Sequence, residues 1–490
     1  MPDDMLLYLG VALVLISIVY LSLGSSQRDV ILSRLSFRRR RTSGSATPPQ
    51  SFTPDKKGAV VQDWREVFPP SRRASLAQVP AFTEEQKKIL KVSPPSPGQI
   101  KQAIAPLMTP LEDLTSPAYT PTEFSTEDIK ALGDFPDYAQ LSGVPLPEPY
   151  HEFDISKAKP RPYRPFRWPY HQTMSLTKLQ TDWWLELESN YAERIGQRKD
   201  LYRKNGKAVL NYLPGSELAC KELMEMSLQF LCARYPQYFS ISPTKDVFHN
   251  GILHTRTRIK DHHPLHVLLD NVPEDFAIML RDPTNGFYYF RAGIICSALG
   301  WNVESKIGLQ LHQIHAPIPD YKEKMQFSMD RYFSKLPTDR PIQRGSWGLE
   351  VDTPLYMPPG DPHEAHRSVQ QPELELSRIH LRVDWQTLRR LPLSAAIVFN
   401  FKALFTPITE FADEAYIPAL CNKVLKEGKK NLMEYKNTWH VEHVAIPALE
   451  EYEREQVEKG MVEEGWDVHT LRESPWYPGW EEKWHAQQGF

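Results

Sequence analysis

Proline limits what the first part of this chain can fold into. Prolines crowd the first third of the 490 residues, with Pro48-Pro49, Pro69-Pro70 and Pro94-Pro95 among many single ones. Each removes an amide donor and fixes φ, so a stretch this rich in them builds neither long helices nor central strands. Most tryptophans and most long apolar patterns fall after about residue 150, and only 41% of the chain is hydrophobic. The expected organisation is one large C-terminal domain preceded by a tail. The 58 basic and 61 acidic residues are mixed, for a net charge of −3. No global field favours nucleic acid. Cys220, Cys232, Cys296 and Cys421 are too scattered for a Cys-x-x-Cys pair or an iron–sulfur run, and read as reduced, buried thiols.

From Met5 to Leu23 the chain reads MLLYLGVALVLISIVYLSL, an uncharged run as long as a helix needs to cross roughly 30 Å of hydrocarbon. Asp3 and Asp4 precede it, whereas Arg28, Arg34 and Arg38 to Arg41 follow. A cleaved signal peptide normally has the opposite flank and a shorter core. The positive-inside rule keeps the rest of the chain in the cytosol, a signal-anchor topology expected at the endoplasmic reticulum. The expected divisions are an anchor over 1–24, a basic stop-transfer and Pro/Ser-rich linker over 25–145, a globular domain over 146–435, and a C-terminal helix with a Trp-rich tail over 436–490. Within the linker only Glu84 to Leu90 has the pattern of a helical turn.

Apolar spacing predicts a helical region over Thr177 to Arg198 and a second helix over Ser216 to Tyr235, capped by Ser216. Arg378 to Trp385 and Ala395 to Phe405 alternate and are rich in β-branched or aromatic residues, as strands are. Helices flanking an antiparallel sheet make an α+β domain.

FRWPYHQTMSLTKL (166–179), PEDFAIML (273–280), KIGLQLHQIHAPIPDY (306–321), PIQRGSWGL (341–349) and LRVDWQTLRRLPLSAAIVF (381–399) follow one another in order. These blocks resemble the haem-dependent oxidative N-demethylase family over roughly residues 150 to 420, and the chain reads as a fungal-type member with an N-terminal anchor. The resemblance implies a PAS-like antiparallel sheet with helical additions that binds haem b. It implies oxidation of a small secondary amine such as dimethylamine to an amine and formaldehyde, with O2 and external electrons. Pro273, Ala277, Ser346 and Trp385 depart from the family pattern, which bears on substrate identity more than on fold. No Gly-x-Gly-x-x-Gly turn or ligand set for an iron–sulfur centre is present, so the electrons come from a separate flavin or iron–sulfur reductase.

A lone histidine beside an apolar stretch is more often a hydrogen-bonded core residue than a ligand. In the family, however, the block containing Gln313-Ile314-His315-Ala316-Pro317 carries the proximal histidine, which assigns His315 to iron. His312, one turn earlier, shares its face if the segment is helical. Arg344 and Arg382, the arginines inside the blocks, are candidates for the haem propionates or for ordinary salt bridges. Trp347 and Phe399 suit either the porphyrin or plain core. His262-His263-x-x-His266 and His363-x-x-His366, with Asp261, Asp270 or Glu364, have metal-ligand spacing, but the prolines around them favour solvated loops. Two other functions stay open at this point, a haem-binding PAS-like sensor without turnover and a non-haem metalloenzyme built on the loop histidines.

Overall fold

The computed structural model describes residues 124, 126–171, 173–282 and 285–489. The Met5 to Leu23 run, its arginines and the Glu84 to Leu90 turn lie outside the described residues. Among those described, no helix is long and apolar enough to cross a membrane.

The chain is α+β and its sheets are antiparallel. Among the described residues ten strands are formed: β1 (Thr177–Lys178), β2 (Leu210–Tyr212), β3 (Phe239–Ile241), β4 (Val247–Asn250), β5 (Thr255–Arg258), β6 (Asp275–Arg281), β7 (Tyr288–Ile294), β8 (Ile342–Val351), β9 (Ile379–Arg390) and β10 (Ile397–Pro407). Seven of them make the main sheet in the order β1-β8-β9-β10-β6-β7-β2, and β3-β4-β5 make a small one. Strands β6 and β10, far apart in the chain, pair at its centre with Ala277 opposite Phe399. The two predicted strands correspond to β9 and β10, each running two or more residues further than the alternation suggested.

Successive residues of a strand face opposite sides, and β9 and β10 divide two cores accordingly. Trp385 and Val398 join a large cluster with helix α4 (Glu217–Arg234). Leu388, Ile397 and Phe401 join a smaller one with Met279, Tyr288 and Phe290. That second face is covered by the segment between β7 and β8, which holds the short helix Leu311–Ile314 and a longer one, Gln326–Lys335. Arg390 ties the layers together: its Nε donates to Leu336 O (2.6 Å), and other donors reach Phe333 O and Tyr288 Oη (2.9 Å).

The predicted second helix is α4, apolar nearly all round as a buried helix must be. Ser216 precedes it, but its hydroxyl donates to Leu213 O (2.7 Å) rather than capping. The first predicted helix is a correction. Only Tyr191–Asn205 is helical; Thr177–Lys178 is a strand and Thr181–Trp183 a single 3₁₀ turn. The aromatic pattern there serves tertiary contacts instead. Trp183 lies against the Arg161 and Arg234 guanidinium groups at 4.2 and 4.9 Å, and Trp184 meets Phe230 edge-on at 5.6 Å.

Packed structure begins before residue 145. Short helices at Thr126–Leu132 and Tyr138–Ser142 rest on the large core. Tyr138 donates to the buried Glu225 carboxylate (2.6 Å), and Phe124, Phe135 and Leu141 are buried. At the other end, Trp439–Glu458 packs on Ile417–Glu427, and the closing helix Trp480–Gln488 returns to the start of the domain. Trp484 Nε1 donates to Lys159 O (2.8 Å). Arg164, two-pronged on Glu414 at 2.6 and 2.7 Å, donates its amide to Pro475 O.

Candidate functional site

Ala277 and Phe399 stand opposite each other on central strands, and Leu388 opposes Phe399 from β9. Leu388, Ile397 and Phe401 are buried, yet Ala277 and Phe399 keep accessible surface. Side chains in the middle of a covered sheet stay accessible only where the covering layer leaves a recess. Met174, Trp301, Ile307, Ile314 and Ile342 are likewise half-buried against the same core cluster.

His315 stands in the covering layer. Its segment begins at Gln310, whose side chain and that of Gln313 cap the turn reciprocally, and ends as Pro317 approaches. His315 Nδ1 lies 2.7 Å from Leu311 O. A carbonyl only accepts, so Nδ1 carries the proton and Nε2 keeps its lone pair. No hydrogen-bond partner of Nε2 occurs among the described residues. The ring stacks on buried Tyr321, 5.1 Å between centroids and 10° between planes. Burial, with the nearby charges of Lys306 and Arg344, pushes the imidazole down to about 4, so it is neutral near pH 7. His312 is also half-buried, with its pKa lowered by burial, but among the described residues no hydrogen bond fixes its ring.

Two cations, Lys306 and Arg344, stand near this histidine and a third, Lys436, stands near Arg344; none pairs with a carboxylate among the described residues. Arg344 on β8 is desolvated, with Tyr163, Tyr170 and Tyr435 nearby, and its Nε has no acceptor. Lys306 sits 4.3 Å from the Trp301 ring centroid and is pushed down to about 8 by burial. Lys436, at the end of the Lys430–Lys436 helix, donates to Trp347 O (2.7 Å) and contacts Ser346 Oγ (3.3 Å). Burial and the Arg344 charge push it down to about 7. Desolvated like charges gathered around one recess favour an anionic ligand.

Other candidates are otherwise engaged. Arg382 has donors on Asp384 Oδ1 (2.9 and 3.1 Å), Pro354 O (2.6 Å), Leu355 O (3.2 Å) and Ser297 O (2.8 Å), so it clamps loops. Trp347 packs edge-on against Phe166 at 4.9 Å, as core, whereas Phe399 borders the recess. His263 accepts from Leu265 N (3.2 Å) and stacks on Tyr212 at 3.7 Å. His363 bonds Val351 O (3.1 Å) and His366 bonds Gln371 (2.8 Å). Among the described residues no group of three or more His, Cys, Asp or Glu could hold a metal ion.

Lys306, Lys436 and Tyr321 escaped the sequence reading. Lys306 and Tyr321 are the first and last residues of the KIGLQLHQIHAPIPDY block, so the signal was present for those two. Asp330, on the Gln326–Lys335 helix, was also missed; burial raises its carboxyl to about 6, and no cation among the described residues pairs with it.

A haem fits these residues: an oriented imidazole with a free Nε2, unpaired cations for two propionates, and apolar or aromatic walls. A family model described as haem-dependent oxidative N-demethylase, alpha subunit-like, matches residues 175–446, which spans β8 to β10, His315, Arg344 and Lys436. The chain belongs to the haem-dependent oxidative N-demethylase, alpha subunit-like family.

Proposed function

We propose that this chain is a haem b monooxygenase that removes an N-methyl group from a small secondary amine such as dimethylamine, releasing an amine and formaldehyde. The observation that carries the reading is His315, whose Nδ1 is committed to Leu311 O while Nε2 remains available. The sheet supports a PAS-like origin, since its first and last long strands, β6 and β10, pair at the centre and the helical segment between β7 and β8 covers one face.

When bound, haem supplies the O2 activation and oxidation that no side chain can perform. The protein's part is to hold and orient. His315 would hold the iron through Nε2, with its tautomer set by Leu311 O and its ring orientation by Tyr321. Arg344, Lys436 and Lys306 would supply the positive charge for the propionates. Phe399, Ala277 and Trp301 provide apolar walls that exclude water. A small alkylamine is largely protonated near neutral pH, and Asp330, ionised above about 6, is a carboxylate suited to its ammonium.

Met5 to Leu23 would anchor the chain in the endoplasmic reticulum with its folded part in the cytosol, beside a flavin or iron–sulfur reductase. Sharing a membrane raises the effective concentration of the two partners.

The test uses the full chain, haem-loaded and solubilised in detergent. With O2, dimethylamine and a reductase or chemical reductant it should release formaldehyde, and with NADPH as sole reductant it should release none. A stable Soret band with no amine-dependent formaldehyde under any reductant would make the protein a sensor. Turnover on NADPH alone would reveal a redox site in the chain itself.

A further inference from the structure

Arg389 and Arg390 are neighbours on β9 and face opposite ways. Arg390 reaches the covering layer of the His315 recess, whereas Arg389 faces the large core under Trp184. The Arg389 side chain is only 6% exposed, and its guanidinium carbon lies 4.1 Å from the Trp184 ring centroid. That contact satisfies the flat face of the cation and leaves its edge. No acceptor among the described residues bonds that edge, and Nε is buried without a partner.

The carboxylate whose charge Arg389 feels, Glu222, is engaged elsewhere. It accepts from Leu393 N (2.6 Å), Ser394 N (2.9 Å) and Ser394 Oγ (2.6 Å), and forms no ion pair with Arg389. Burial pulls the guanidinium pKa down to about 10, so it remains charged at neutral pH.

Arg389 lines a small, half-open recess between α4 and the Val144-Pro145-Leu146-Pro147 segment. Leu179, Trp184, Met226 and Phe230 supply apolar walls. The amide of Gln229, also on the wall, already donates to Pro136 O (2.9 Å). The site thus combines the planar guanidinium fork that matches a carboxylate with walls that are largely apolar, and its lining holds no second cation to compensate a second negative charge.

We propose that this recess is a second ligand site, separate from the His315 site, that binds a small monocarboxylate with an apolar tail through Arg389. The carboxylate meets the guanidinium edge and the tail lies among Leu179, Met226 and Phe230. The site does not depend on haem or on the proposed demethylation.

Calorimetric titration of the full chain at constant ionic strength, with butyrate and with benzoate, tests it; n-butylamine and inorganic phosphate serve as comparators. The expected result is saturable binding of a carboxylate at one site per chain, with neither comparator binding. Arg389→Met should weaken it by about tenfold or more, the scale of a charged hydrogen bond. Leu146→Glu, at a rim position that is 48% exposed and so tolerant of charge, should also weaken it by placing an internal carboxylate at the mouth. This second variant keeps the test decisive if Arg389→Met fails to fold. Absence of saturable carboxylate binding overturns the proposal, as does binding undiminished in Leu146→Glu and in a folded Arg389→Met. Phosphate binding without carboxylate binding overturns the assigned ligand class.

Discussion

His315 has one ring nitrogen fixed by a backbone carbonyl and the other without a partner among the described residues, and it stands in the layer that covers Ala277 and Phe399. His315→Ala should therefore abolish the Soret band of the haem-loaded protein, while His312→Ala and His366→Ala leave it in place; a full-height band in His315→Ala would move the ligand elsewhere. Lys436 adds a pH signature. Burial and the Arg344 charge hold it at about 7, so without an anion it is mostly neutral above that pH. A propionate beside it favours the ammonium and raises its pKa, so haem binding takes up a proton between about 7 and the ordinary lysine value of roughly 10.4. Haem affinity should then fall as pH rises through that window, by up to about tenfold per pH unit. Lys436→Met should weaken binding and flatten this slope in a spectroscopic titration; an unchanged slope would remove Lys436 from the site. The sequence offered His315 and Arg344 because they lie inside recognisable blocks. Lys436 reads as one more lysine in a polar helix, since the desolvation that sets it apart exists only after β8 and that helix meet.

Among the elements, the two long strands were legible because alternation is local, and α4 because an apolar run without glycine or proline has few alternatives. Thr177 to Arg198 misled for a physical reason. Trp183 and Trp184 fall at helical spacing, but distant arginines, Arg161, Arg234 and Arg389, hold their rings in an irregular run. The link between the Gln326–Lys335 helix and the sheet was also out of reach, resting on Arg390. Its donors satisfy Phe333 O and Leu336 O at the C-terminal end of that helix, where carbonyls lack intrahelical partners. Arg390→Met should cost about 3 kcal/mol in chemical denaturation, from several buried carbonyls left unbonded. A loss under about 0.5 kcal/mol would mean that the helix docks by apolar contact alone.

At the scale of the whole molecule, composition revealed the proline-rich beginning but not where packing starts. Phe124, Phe135 and Leu141 look like isolated apolar residues among prolines until α4 and Glu225 receive them. The tryptophans near the C-terminus stood out, yet nothing local says that Trp484 reaches back to Lys159. The uncharged run at the N-terminus leads to a separate expectation. Deleting residues 1–41 should release the protein from membranes in carbonate extraction, and retention of the truncated chain in the pellet would locate membrane attachment in another part of the protein.

The central pairing of β6 with β10 imposes an order in time. Ala277 and Phe399 are 122 residues apart in the chain, and at roughly 5–20 residues per second the ribosome needs on the order of ten seconds to pass from one to the other. During that interval β6 and β7 can form a hairpin, but Phe276, Ile278 and Leu280 have no β10 beside them, and Ala277 has no opposite wall. The recess at Ala277 and Phe399 therefore cannot exist on a nascent chain until Pro407 has cleared the exit tunnel. Non-local pairing of this kind is slow to form and leaves an apolar strand edge open meanwhile. Haem insertion is consequently a late event, and a cell making this protein quickly must shield that hairpin.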